Sequence, residues 1–401
     1  MTARNRANTS LLWLLAVAGA LLFGILYRLR TPDPIDLAVY RAGGDMLLNG
    51  VDIYGPRDGL PFTYAPFAAI IFLPLAILPW PLAVVLLAAA TVFALGRAVF
   101  LVLDRLWPRS QLWWRFAIAM LIAVTCEPMT STLDLGQVNA ILLWLVTEDI
   151  LGRRGGRLKG ILTGLAAGIK LTPGLFLLSY LVVRDYRRFL LGVATFVGTV
   201  VVALPVIGGE VIDFWTKVTW DVSRIGSPAF ASNQSVNGTL WRLFGGEPST
   251  LLWLLIALLA VALALYVSWK LWARALVWPL AATALAMLLA SPISWSHHYV
   301  WVYPALLLLW QQWRHWPATV LLVLGVLTFY FHFSLLPPNG AGADGVPLEY
   351  SWTPFQELLG ASYVLWTGVT LCYLAYAAWR RADELNPDPG APSALAESSR
   401  A

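Results

Sequence analysis

The chain has 401 residues, 59% of them hydrophobic and 12% charged, with a formal net charge of +5 and a mean hydropathy of +0.70. A soluble domain carries about 25% charged residues, so this composition excludes a soluble globular protein and points to an integral membrane one. The 27 Lys and Arg are dispersed between apolar runs, so the charge reports membrane orientation and not a nucleic-acid surface.

A bilayer core takes about 20 helical residues. On that measure the sequence predicts spans at 10–27, 81–103, 112–129, 138–151, 160–169, 172–183, 189–207, 251–270, 275–293, 298–313, 317–335 and 360–379. The first resembles a signal peptide, but it has no small-residue cleavage site and further spans follow, so it reads as a retained helix. The run PFAAIIFLPLAILP (66–79) is too short to cross and ends at Pro79 and Pro81. It reads as a re-entrant half-helix, tolerated only where it is buried in protein or lines a wet cavity. Trp80, Trp107, Trp113, Trp144, Trp215, Trp301 and Trp379 stand beside span ends, where amphipathic rings anchor. Cys126 and Cys372 fall in apolar segments and read as small core residues without a disulfide role. Residues 1–381 thus form one transmembrane domain, and the Pro/Ala/Ser-rich residues 382–401 a disordered cytoplasmic tail. The expected fold class is an all-α polytopic membrane protein of about 12 transmembrane helices, plus the half-helix and extracytoplasmic loops.

Lys and Arg set the orientation. With the N-terminus cytoplasmic, 19 of the 27 lie inside, and only Arg28, Arg30, Arg41, Arg57, Lys170, Lys217, Arg224 and Arg242 lie outside. Reading LTPG (171–174) as the bend of a short helical pair keeps RDYRR (184–188) inside. The polar stretches 32–44, 133–139, 232–242 and 291–298 then share the outer face with Lys170. This arrangement predicts one extracytoplasmic cavity roofed by the loops 28–65, 208–250 and 336–359.

Each stretch has a chemical and a structural reading. Asp36 is a candidate general base or the N-cap of a helix over LAVYRAGGDMLL, with Asp33 and Asp45 as neighbours. Tyr64, in LPFTYAPF, shapes a lipid portal or is an interfacial anchor. Gln137 and Asn139, in GQVN, meet the donors and acceptors of sugar hydroxyls or hold helices together. Lys170, in GIKLTPG, binds an anionic lipid phosphate or snorkels to the interface. Asn233 and Gln234, in NQSVNG, contact carbohydrate or form a polar loop. His297 and His298, in SWSHH, lack the spacing of a metal site. One of them contacts a phosphate or sugar, or both are structural. The sequence has no P-loop and no DxD pair, which argues against a soluble nucleotide donor.

Six stretches taken in order carry a resemblance: IDLAVYRAGGDMLLNGVDIY (35–54), LPFTYAPFAAIIFLPLAILP (60–79), LGQVNAILLWLV (135–146), GLAAGIKLTPGLFLLSYLVVRD (164–185), NQSVNGTLWR (233–242) and SPISWSHHYVW (291–301). Together they resemble family 87 of the GT-C glycosyltransferases, bacterial membrane mannosyltransferases that use polyprenyl-phosphate-mannose. The nearest likeness is to actinobacterial α-(1→2)-mannosyltransferases that extend phosphatidylinositol mannosides or branch lipomannan. The resemblance implies a GT-C fold in the cell membrane with an extracytoplasmic active site. It implies Asp36 as the catalytic base, four residues before Tyr40, and Lys170 with His297 or His298 on the donor phosphate. It further implies a β-linked donor, an α product and so a single inverting displacement, with a mannosylated glycolipid as acceptor and neither cofactor nor metal. An arabinofuranosyltransferase, which is a branch of the family, or another pentosyl or glucosyl transferase using the same lipid carrier is the rival within the enzyme class. A polyprenyl-lipid transporter is the rival outside it, and would show pseudo-repeats and charges at mid-membrane.

Overall fold

A backbone in lipid satisfies its N–H and C=O groups only within helices or closed barrels. The computed structural model, which describes residues 3–30, 33–56, 59–152 and 156–381, is helical throughout, with no strand among the described residues. The tail expected at 382–401, and Arg153 and Arg154 of the inner loop, lie outside the described residues. In chain order the helices are α1 (Ala3–Arg30), α2 (Ile35–Leu48), α3 (Pro66–Ile77), α4 (Trp80–Leu106), α5 (Leu112–Thr125), α6 (Glu127–Leu135), α7 (Asn139–Leu151), α8 (Ile161–Ile169) and α9 (Leu175–Val182). There follow α10 (Tyr186–Ile207), α11 (Glu210–Thr216), α12 (Val236–Phe244), α13 (Thr250–Leu271), α14 (Val277–Ala290), α15 (Tyr303–Gln311), α16 (Trp316–Phe331), α17 (Pro354–Gly360) and α18 (Ser362–Arg381).

By length and composition, α4, α10 and α13 each suffice to cross a bilayer. The bent pairs α5–α6 (62°) and α17–α18 (63°) raise that number to five among the described residues, and α3, α14 and α16 are shorter apolar helices. The protein is therefore an all-helical chain with several apolar helices, as a polytopic membrane protein requires.

Two predicted spans break where the backbone chemistry dictates. The span at 112–129 ends at Cys126, which is extended (φ −79°, ψ 144°), and the chain turns into α6 with Pro128 in its first turn, where a missing N–H costs nothing. The span at 298–313 starts as a 3-10 helix over Ser296–Val302 and becomes α-helical only at Tyr303. Pro304 has no N–H for the α-helical ladder, so the ladder restarts there.

At the centre is α14, buried at every residue from Val277 to Leu289 and packed on α9, α13, α15 and α18. A helix apolar on all sides belongs inside a bundle. Around it α1 packs on α4, α2 on α3, α4 on α7, and α8 on α10. The last contact depends on small residues: a Cβ at Gly164 would fall on the Gly192 carbonyl, and one at Gly168 on the Thr199 side chain. The α7, α8 and α9 segments are tied by the buried Asp149, which accepts from the Gly160 N–H (2.8 Å), the Thr163 hydroxyl (2.6 Å) and the Tyr180 hydroxyl (3.0 Å).

Candidate active site

The site begins with α2. Pro34 occupies the N-cap position and Asp36 lies inside the first turn without capping it, so the capping reading of Asp36 does not describe this helix. Asp36 and Tyr40 are four residues apart and share one helix face. Arg41 anchors α2 to the C-terminal end of α3 by donating to the carbonyls of Leu75 and Leu78, where a cation is favoured. Its guanidinium also lies 5.5 Å from the Trp80 ring centre.

The partner of Asp36 comes from a turn 101 residues away. Here α6 ends in a Schellman motif: the N–H of Gly136 bonds to the Leu133 carbonyl (2.9 Å) and that of Gln137 to the Thr132 carbonyl (2.8 Å). Gly136 sits at φ +74°, and a Cβ there would meet Leu37 Cβ at 2.9 Å and Pro34 Cβ at 3.0 Å. Glycine thus lets the α6–α7 turn touch the start of α2, which delivers Gln137 to Asp36.

From there the polar contacts are continuous. Gln137 Nε2 donates to Asp36 Oδ2 at 2.6 Å. Its Oε1 faces the hydroxyls of Tyr40 and Tyr64, each at 2.9 Å, and Asn139 Nδ2 at 3.3 Å. The two hydroxyls are 2.8 Å apart, and two protons can serve only two of these three contacts at a time. An amide that donates to a carboxylate and accepts from phenols has its orientation fixed by its partners. Lys170 Nζ donates to Asn139 Oδ1 at 3.1 Å and lies 2.9 Å from His298 Nε2 and 5.2 Å from the Tyr64 ring centre. With the ammonium donating, His298 Nε2 accepts and its ring proton resides on Nδ1. Lys170 reaches this position because α8 stops at Ile169 and the backbone at 170 is extended (φ −143°, ψ 125°) before the 3-10 turn Thr172–Gly174.

Asp36, Tyr64, Gln137, Asn139, Lys170 and His298 therefore form one connected cluster. Asp36 is part-exposed and uses a single oxygen toward the protein. Burial pushes its carboxyl above the usual aspartate range, while the Gln137 hydrogen bond and the Lys170 charge pull it back. His297 lies behind His298: the rings are edge-to-face at 4.7 Å, His297 is buried, and its Nε2 has no hydrogen-bond partner. Its backbone carbonyl accepts from the Thr132 hydroxyl at 3.0 Å.

Asn233 and Gln234 stand apart from this cluster and bond to backbone. Both are wholly buried. The Asn233 amide donates to the Pro228 carbonyl (2.9 Å) and accepts from the Ser294 N–H (3.0 Å). Gln234 Nε2 donates to the carbonyls of Ala231 and Gly360, each at 2.7 Å. Buried amides seek such partners; here those found are backbone, and Gln234 Oε1 is left without one. Residues 232–238 consequently brace the SWSHH segment, and Asn233 pairs with Trp295 in an isolated bridge.

The sequence reading missed Glu127. Its Oε1 accepts from Ser296 Oγ (2.6 Å) and its Oε2 from the Tyr363 hydroxyl (2.8 Å), so one buried carboxylate fixes the segment holding both histidines to α6 and α18. The one available signal was an acid between apolar runs, beside Pro128.

Comparison with known proteins identifies the family. Residues 62–292 match the profile of Glycosyltransferase family 87. The polyprenol-phosphate-mannose-dependent alpha-(1-2)-phosphatidylinositol mannoside mannosyltransferase of Mycolicibacterium smegmatis is 34% identical over 88% of this chain and 86% of its own length. The protein of the same description from Mycobacterium tuberculosis is 32% identical over 90% and 89%. A polyprenol-phosphate-mannose-dependent alpha-(1-2)-phosphatidylinositol pentamannoside mannosyltransferase of Mycobacterium tuberculosis is 35% identical over 69% and 65%. No solved structure matches the chain. With a profile covering more than half of the sequence and relatives aligned over most of it, the chain belongs to glycosyltransferase family 87.

Proposed function

We propose that the protein transfers mannose from polyprenyl-phosphate-mannose to a mannosylated glycolipid, a phosphatidylinositol mannoside or lipomannan, forming an α-(1→2) linkage. Its relatives are named for this donor and linkage. The observation that carries the reading is the unbroken chain of contacts from Asp36 through Gln137 and Asn139 to Lys170 and His298. It joins a candidate base to candidate phosphate ligands.

In this reading the acceptor's 2-hydroxyl attacks C1 of the donor mannose, and the unpaired oxygen of Asp36 takes its proton. The C1–O bond to phosphate breaks, and polyprenyl phosphate leaves as an anion that needs no general acid. Lys170 and His298 stabilise the charge that grows on that phosphate. His297 orients the His298 ring from behind. Gln137 holds Asp36, Tyr64 and Asn139 position Gln137 and Lys170, and Asn233 and Gln234 brace the histidine segment. The assignment extends to a GT-C arrangement of about 12 spans in the cell membrane, with the site on the extracytoplasmic face.

The test is purified enzyme with labelled polyprenyl-phosphate-mannose and a panel of mannoside glycolipids. Transfer is expected from this donor, none from GDP-mannose alone, and little loss in EDTA. Strict dependence on added Mn²⁺, or transfer from GDP-mannose, would overturn the reading.

A further inference from the structure

The far end of the bundle carries a second, different set of groups. From Trp80, near the candidate site, α4 runs 27 residues to Leu106, about 40 Å. At its far end Arg115 lies among three indoles, its guanidinium carbon 5.1 Å from the Trp107 ring centre, 4.0 Å from Trp114 and 5.9 Å from Trp310. Its Nη1 donates to the Gln111 carbonyl at 3.3 Å, and its Nε is buried without a partner. No acid pairs with it among the described residues; the nearby Asp104 stands 3.7 Å from Arg109. This is a cation with aromatic walls and no counter-ion.

Trp310 also lines a cavity of about 220 Å³ between α4, α5, α15 and α16, together with Val99, Ala119, Ile122, Tyr303 and Leu307. The Tyr303 hydroxyl is taken up by the Ala123 carbonyl at 2.9 Å, so the wall offers hydrocarbon and indole but no free hydroxyl. Such a wall rejects a sugar. The space is also too small for a partner helix, which is about 10 Å across, whereas a stretch of alkyl chain fits.

We propose that this end of the bundle binds an anionic diacyl phospholipid, with one acyl chain in the cavity and its phosphate on Arg115. One side chain, Trp310, joins the two halves of the site, which places the charge at the mouth of the apolar space. The three indoles hold the guanidinium laterally and leave its remaining N–H groups for phosphate oxygens. The inference does not depend on the sugar or acceptor assigned above, because Arg115, Trp107, Trp114 and Trp310 lie at the other end of α4, α5 and α15.

The experiment is native mass spectrometry of the detergent-purified enzyme, titrated with phosphatidylglycerol or phosphatidylcholine of equal chain length. The wild type is expected to retain one phosphatidylglycerol with about tenfold preference, because the choline ammonium of phosphatidylcholine offsets the charge that its phosphate presents to Arg115. Arg115→Gln is expected to bind both lipids equally, and Ala119→Phe to lose both, with transferase activity reporting that each variant is folded. Should Ala119→Phe prove inactive, Ala119→Leu fills less of the cavity and is expected to weaken retention of both lipids. Equal binding by the wild type, or a preference that survives in Arg115→Gln, would overturn the proposal. So would stoichiometric displacement of the phosphatidylglycerol by polyprenyl phosphate, which would make the cavity part of the donor's path.

Discussion

At the residue scale, Asp36→Asn separates chemistry from structure. Asn keeps an oxygen to accept from Gln137, and Pro34 already occupies the N-cap position, so the helix loses little. The amide cannot take a hydroxyl proton. Losing a general base costs about 10²–10⁴ in rate, or roughly 3–5 kcal/mol of barrier. We expect near-normal expression and donor binding with transfer nearly abolished, while Asp33→Asn and Asp45→Asn retain most activity; turnover of Asp36→Asn within a few fold of wild type would remove it from the mechanism. The wild-type pH profile supplies an independent check. A carboxyl held above its ordinary range loses its charge as pH falls through that raised value, so kcat/KM should decline on the acid side at a higher pH than a free aspartate would dictate. The histidines should also divide. His298 touches Lys170 and is part-exposed, whereas His297 is buried. His298→Ala should raise the donor KM by more than tenfold, and His297→Ala should act less and mainly through kcat; the opposite order would exchange their roles. Asp36 and Lys170 were legible in the sequence because a charge beside or between apolar runs is costly and has a short set of explanations. For Asn233 and Gln234 both readings stayed open, because polarity in a loop does not reveal whether an amide faces a ligand or the backbone.

At the element scale, the tightest constraint is the meeting of the α6–α7 turn with the start of α2. Gly136→Ala would force an alanine to φ +74° and place its Cβ 2.9 Å from Leu37 Cβ. The left-handed conformation alone costs about 1–2 kcal/mol. The clash adds a displacement of α2 from Gln137, so activity should fall further than stability. Thermal unfolding and kcat measured on one preparation check this: a lowered melting temperature with unchanged kcat would show that α2 and the turn move together. Helix positions such as α10 and α13 were readable from length and hydropathy. The break at Cys126 and the 3-10 start of the Ser296–Val302 segment were not, because apolar composition carries through a bend unchanged. The prolines at 128 and 304 marked both places.

At the scale of the whole molecule, pairing was the least legible property. Asp36 and Gln137 are 101 residues apart and Lys170 and His298 are 128 apart. Helices apolar on every side, such as α14, give no periodicity from which a neighbour could be deduced. What the sequence does carry at this scale is the bias of Lys and Arg, and it makes a claim that can be checked residue by residue. Arg187 is exposed at the start of α10, and Glu247 is exposed just before α13. The 22 residues of α10, about 33 Å long, lie between Arg187 and the loop region that leads to Glu247, which puts the two positions on opposite membrane faces. The positive-inside rule assigns Arg187 and the 153–159 loop to the cytoplasm. In a Cys372→Ser background, with Cys126 buried, an impermeant maleimide should label Glu247→Cys in intact cells. Arg187→Cys and Gly156→Cys should react only after the membrane is opened. Labelling of Arg187→Cys in intact cells, with Glu247→Cys protected, would invert the chain and move the Asp36–Lys170 cluster to the cytoplasmic face.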